Sequence, residues 1–294
     1  MTKDQLGFLF NDLPTFARQS DTYRPLQRPI WSENKAQLIS RYLYYFVLIT
    51  KHGAYIDGFA GRQRDSLGDN WSAKLVIESK PPLLRDFWLC DIDSKKTLAL
   101  QNMVDKQSVI KNRKVSVMTG DFNYLVDNIL DAGRIRPSTA AFCLLDQRTF
   151  ECSWETVSKI AKFKANKKIE LFYFLGTGWM ERALSAVKNK QIINAWWGRD
   201  DWEELKRFSG NARAEHFCAR FRDEFGYAHV TPWPIYKRGS SGRTMYHMIH
   251  CSDHDEAPKL MWRAYRSATR APEPYKQLEI QFDNGRFEED LTGG

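Results

Sequence analysis

Short apolar runs alternate with amphipathic stretches through most of the chain. Ala54-Tyr55-Ile56 ends in Asp57-Gly58, and Phe87-Trp88-Leu89-Cys90 ends in Asp91. Val115-Ser116-Val117-Met118 leads into Gly120-Asp121, Ala140 to Leu145 ends in Asp146, and Ile169 to Leu175 ends in Gly176. Between these runs, residues 69–80, 94–107, 122–132 and 153–164 carry helical patterns. A further helix is predicted over Lys35 to Thr50, with Leu38, Tyr42, Tyr45, Phe46 and Ile49 on one face, Ser32 as its N-cap and Gly53 as its stop. Buried strands that alternate with amphipathic helices predict a parallel sheet covered on both faces.

After Gly178 a helical region runs to about residue 225, interrupted near Trp197-Gly198 and Ser209-Gly210. Two more strand-like runs, Tyr227 to Tyr236 and Thr244 to Cys251, flank a loop from Lys237 to Arg243 that can close a hairpin, and a last helix covers about 255–268. Seven strands with an antiparallel C-terminal hairpin match the strand count of a Rossmann-like, methyltransferase-type α/β sheet, mostly parallel and with helices on both faces. The predicted organisation is an irregular arm over 1–30, one domain over 31–268 with a helical insert at about 178–225, and an acidic tail over 269–294. There are no internal repeats.

Composition narrows the function classes. The net charge is +8. Residues from Pro272 onward carry six acids and two bases, so the tail is −4 and the rest +12. A body of that sign attracts polyanions, nucleic acid first, although no single cluster of basic residues dominates. The longest apolar run, Tyr42 to Thr50, falls short of the ~20 residues a membrane helix needs. The start, Met1-Thr2-Lys3-Asp4-Gln5, has no signal-peptide pattern, so a cytoplasmic protein is expected. Five scattered cysteines without a Cys-x-x-Cys pair argue against a disulfide framework or a zinc site.

The chemistry concentrates at the strand ends, because open α/β sheets bind ligands outside the carboxyl ends of their strands. Asp57, Asp91, Asp121 and Asp146 all end or directly follow predicted strands; each could also be a helix cap. Asp57-Gly58-Phe59-Ala60-Gly61 permits a tight turn and close ligand approach, yet it lacks the three glycines of the dinucleotide fingerprint. It is close to the acid-x-Gly-x-Gly loop of S-adenosylmethionine enzymes, whose cationic cofactor suits an acid at the loop start. Asp91 would accept from ribose hydroxyls, and Asp121 with Phe122 would flank an adenine. Asp146 would orient or deprotonate the acceptor.

Other features read more plainly. Strand alternation separates His250 and Ser252 from Cys251, so the run from His250 to His254 is expected to be a strand end and not a metal site. Cys143 and Cys152 are expected in the core. Trp196, Trp197 and Trp202 either stack bases beside Arg199 and Lys206-Arg207 or form a helical lid on the sheet. Arg238 and Arg243, on a glycine-containing loop, are candidate substrate clamps.

Trp31-Ser32-Glu33-Asn34-Lys35, the helix through Tyr42-Leu43 and the run Tyr55-Ile56-Asp57-Gly58-Phe59-Ala60-Gly61 resemble the opening of the three-Cys-motif partner (TcmP) proteins. The likeness continues through Asp146 with Trp154-Glu155-Thr156, through Leu171 to Phe174, and through Met245 to Ile249 with Asp253-His254. It implies a methyltransferase-like protein with S-adenosylmethionine as cofactor, and a partner resembling radical S-adenosylmethionine enzymes, often near phage or mobile-element genes. Two departures stand out. Arg62-Gln63 replaces the family's Pro-Gly, and Asp146-Gln147-Arg148-Thr149 replaces its Asp-Pro-x-Gly. The second removes a rigid turn, so the alternative expectation is a catalytically inactive binding module of the same fold for nucleic acid or a partner protein.

Overall fold

The computed structural model describes residues 35–62, 71–236 and 244–270. The arm, the Ser32 cap, the Arg238 and Arg243 clamp and nearly all of the tail lie outside the described residues. Seven strands form one sheet: β1 (Gly53–Asp57), β2 (Leu84–Asp91), β3 (Lys114–Thr119), β4 (Ala141–Leu145), β5 (Glu170–Leu175), β6 (His229–Tyr236) and β7 (Thr244–Ser252). Their order is β3-β2-β1-β4-β5-β7-β6. The pairs among β1 to β5 are parallel, while β7 is antiparallel to both β5 and β6. This is the Rossmann-like, methyltransferase-type sheet. The terminal hairpin inserts β7 between β5 and β6, so β6 forms the edge.

Alternation of side chains along the strands sorts the core into two layers. Tyr55, Leu89, Phe142, Leu144, Phe172 and Met248 face one side, where α1 (Lys35–Thr50), α2 (Ser72–Ile77), α3 (Ser94–Asp105) and α9 (Ala257–Arg270) pack. Ile56, Trp88, Cys143, Leu145, Tyr173 and Ile249 face the other. There α4 (Phe122–Leu130), α5 (Trp154–Lys162), α6 (Met180–Ala186), α7 (Lys190–Trp197), the 3-10 helix Trp202–Arg207 and α8 (Gly210–Phe225) cover them. Both faces of the central strands are covered, which is why β1, β4 and β5 read as continuous apolar runs and not as alternating ones.

Trp196, Trp197 and Trp202 are buried in this second layer. Phe217 lies 5.2 Å from the Trp196 ring and 5.1 Å from the Trp197 ring. The Arg220 guanidinium is sandwiched 4.0 Å from both Trp154 and Trp197. These tryptophans therefore build the helical cover and offer no open face to a base. All five cysteines are buried thiols. Among the described residues no helix is long and apolar enough to cross a membrane.

Candidate functional site

Strand order reverses between β1 and β4, and register opens a recess there. Asp57, the last residue of β1, pairs with Leu89 of β2 and Leu144 of β4. Asp91 and Asp146 therefore stand two residues further along on either side. Each of the three acids lies two residues beyond an inward-facing apolar residue, Tyr55, Leu89 or Leu144, so all three share the face that α1 covers.

Across this recess runs the glycine turn. The Gly58 N–H donates to Leu144 O (3.1 Å) and the Ala60 N–H to Cys90 O (2.7 Å), pinning the turn to both neighbouring strands. The Gly61 N–H donates to Asp91 Oδ2 at 3.0 Å. A Cβ on Gly61 would lie 2.1 Å from that oxygen and 2.6 Å from Lys96 Cδ. A Cβ on Gly58 would lie 2.9 Å from the Phe122 ring. Both glycines are thus required by close approach.

The result is a cavity of about 330 Å3, within the usual range for small-molecule sites, lined by the turn and by the ends of β2, β3 and β4. Of the residues singled out by sequence, Gly58, Phe59, Gly61, Asp91, Asp121, Phe122 and Asp146 meet on its wall. Ala60 is buried behind the turn, its carbonyl accepting from Trp71 Nε1 at 2.7 Å. Asp57 lies beneath the turn and off the wall. It accepts from the Phe59 N–H (3.1 Å) and the Tyr55 hydroxyl (3.0 Å). Burial, then the charge of Asp146, push its carboxyl up to about 7.

Asp91 is not the cap of α3; Asp93 is, through the Lys95 N–H. Asp91 instead accepts from Gly61 and from the Asp93 N–H (2.9 Å), with Lys96 Nζ at 3.8 Å. A carboxylate offers about four lone-pair sites, so room remains for a ligand hydroxyl. Asp121 does cap α4 through the Asn123 N–H. Phe122 is buried, with its ring centroid 6.0 Å from that of Phe59.

Sequence reasoning missed several wall residues: Ile92, which is 72% exposed, together with Lys96, Arg148 and Glu151. Two supporting side chains were missed as well. Lys35 Nζ lies 2.5 Å from Asp146 Oδ2 and both side chains are nearly buried. Gln147 is buried; its Oε1 accepts from the Glu151 N–H (3.1 Å) and the Cys152 N–H (2.9 Å). The Arg148 N–H donates to Glu151 Oε2 at 2.7 Å. The loop after β4 is therefore tied by side chains. The adjacency of Ile92 to a strand-end acid was a usable signal; the partners of Lys35 and Gln147 were not readable.

Among the described residues no group of three or more His, Cys, Asp or Glu is arranged to hold a metal ion. No family model matches the chain. Curated proteins give no match either. Among solved structures the chain is similar to the CurJ carbon methyltransferase, with 11% identity and a TM-score of 0.41 over 69% of this chain and 49% of that one. The chain thus spans about half the length of that protein. It is similar to LPL1258 from Legionella pneumophila at 12% identity, TM-score 0.44, over 80% of this chain and 93% of that one. It is similar also to Trm1 from Pyrococcus horikoshii, solved with S-adenosyl-L-methionine, at 11% identity, TM-score 0.40, over 80% of this chain and 59% of that one. The fold assignment rests on strand order and direction, and by these the chain has a methyltransferase-like fold.

Proposed function

We propose that this chain is an S-adenosylmethionine-dependent methyltransferase-like protein acting on a polyanion, nucleic acid first. The observation that carries the reading is the charge of the cavity at the β1/β4 switch point. Five carboxylates line it, from Asp91, Asp93, Asp121, Asp146 and Glu151, against the two cations Lys96 and Arg148. A pyrophosphate would meet like charge there, whereas a ligand bearing an ammonium and a sulfonium meets opposite charge. The close-packed glycine turn, where a Cβ on Gly58 or Gly61 would press on neighbouring side chains, supports close approach of a ligand to the backbone.

Gly58 to Gly61 would hold the amino-acid portion of the cofactor, Asp91 its ribose, and Asp121 with Phe122 its adenine. When bound, the cofactor supplies a methyl group on a positively charged sulfur, an already activated leaving group. The task left to the protein is to orient the acceptor, and the position of Asp146 on the cavity wall supports that role for it. The net charge of +8 and the exposed Arg148 at the cavity support an anionic substrate. A three-Cys-motif partner belongs to the same proposal, motivated by the residues shared with the TcmP proteins.

Calorimetric titration tests it. S-adenosylmethionine is expected to bind in the micromolar range, more tightly than its neutral demethylated product, with affinity lost in Asp91→Ala. Absence of binding at millimolar ligand, with the partner protein added, would overturn the reading. Single-stranded oligonucleotide binding is expected to weaken steeply with salt; salt-independent or absent binding would remove nucleic acid as the substrate class.

A further inference from the structure

We propose that Lys35 is the positioning residue of this site: it holds Asp146 as a charged, acceptor-only carboxylate at the cavity wall. The inference deepens the methyltransferase reading and rests on it for what Asp146 orients. It stands first on geometry. Lys35 begins α1, far from Asp146 in sequence, yet its ammonium sits 2.5 Å from Asp146 Oδ2. It also lies 5.8 Å from the Phe174 ring and 5.6 Å from the Tyr246 ring, so the cation is surrounded by a carboxylate and two aromatic faces. Burying a carboxylate costs least where an opposite charge is in contact with it.

Among the described residues, charged and titratable groups face Asp146 from several elements. Lys35 faces it from α1, and Asp57 with the Tyr55 hydroxyl from β1. Arg148 and Glu151 belong to its own loop, and Asp91, Lys96 and Asp121 line the cavity with it. Burial pushes the Asp146 carboxyl up, and Lys35 offsets that rise only in part. The charge of Asp146 adds to burial in pushing the Asp57 carboxyl up, and Lys35 pulls it down. Lys35 pulls both carboxyls down, and Asp146 is the one it touches.

Nuclear magnetic resonance of protein carrying carbon-13 at the aspartate carboxyls tests this, with Asp57→Asn and Asp146→Asn for assignment. In the wild type the Asp146 signal is expected to titrate below that of Asp57. In Lys35→Met the Asp146 midpoint is expected to rise by about one pH unit or more, since a close opposite charge shifts a carboxylate by roughly 1–3 units. Lys35→Arg keeps the charge and is expected to leave the midpoint near the wild-type value. An unchanged midpoint in folded Lys35→Met overturns the inference. So does a midpoint in Lys35→Arg displaced well above the wild type, and that variant gives the answer should Lys35→Met fail to fold. Wild-type protein that titrates as expected but binds neither S-adenosylmethionine nor S-adenosylhomocysteine would instead remove the methyltransferase reading and leave the role of Lys35 toward Asp146 standing.

Discussion

Helix α1 is fastened to the sheet by polar side chains at two places, and the two fastenings differ in what lies beside them. Near its start, Lys35 pairs with Asp146 at the wall of a cavity. Two turns later the Tyr42 hydroxyl donates to Glu170 Oε2, which also lies 3.2 Å from His250 Nε2. The Tyr42 and His250 rings meet edge to face at 4.8 Å. The second cluster is as rich in catalytic residue types as the first, and it is sealed: Tyr42, Glu170 and His250 are all buried, at the amino end of β5. Residue type and burial are thus shared by a candidate site and a structural staple. What separates them is access, and access follows from strand direction, because the carboxyl ends of the parallel strands are where the turns splay apart.

Substitutions can break this contrast, and the largest effect is expected at Asp57. Its carboxyl ionises near 3.8 when unfolded and about 7 when folded. Between those values the folded chain holds a proton that the unfolded chain has released. The contribution of Asp57 to stability is therefore fully present below about pH 4 and is lost as pH rises to about 7, by on the order of 4 kcal/mol. Asp57→Asn is expected to flatten that decline, as read from urea midpoints at several pH values. A slope that survives the substitution would place the titrating group elsewhere.

At the sealed staple, Glu170→Ala leaves a buried hydroxyl and imidazole without their acceptor, and a loss of about 3 kcal/mol is expected. Cofactor affinity should stay as in the wild type; a parallel loss of affinity would show that the two fastenings are coupled. Gly61→Ala forces a methyl group against Asp91 and Lys96. About 1–3 kcal/mol of overpacking is expected in chemical denaturation, together with a tenfold or greater loss of S-adenosylhomocysteine affinity by calorimetry. Gln147→Ala removes the acceptor for two backbone N–H groups and should cost about 1–2 kcal/mol. Its signature is loosened exchange protection at the Glu151 and Cys152 amides, with the sheet amides unchanged.

Much of the architecture was legible along the chain because it depends on local periodicity. Strands covered on both faces must be apolar throughout, helices must repeat near every third or fourth residue, and the acids stand out because each interrupts an apolar run. Asp57, Asp91, Asp121 and Asp146, with Gly58 and Gly61, could be picked from those interruptions alone. The hairpin was legible as two runs and a loop, but not the insertion of β7 between β5 and β6, which is a matter of edge pairing between distant strands. Nor could spacing show that Asp57 sits under the turn while Asp91 and Asp146 reach the wall, since that follows from a two-residue stagger in register. Lys35 is 111 residues from the carboxylate it pairs with. Gln147 serves a loop whose conformation does not exist until β4, β5 and α5 have packed around it. The sequence by itself determined which residues are apolar, which turns are tight and where charge interrupts a strand. Only the tertiary structure decided which of those charges share a cavity, because burial and pairing are properties of distances that the chain acquires on folding.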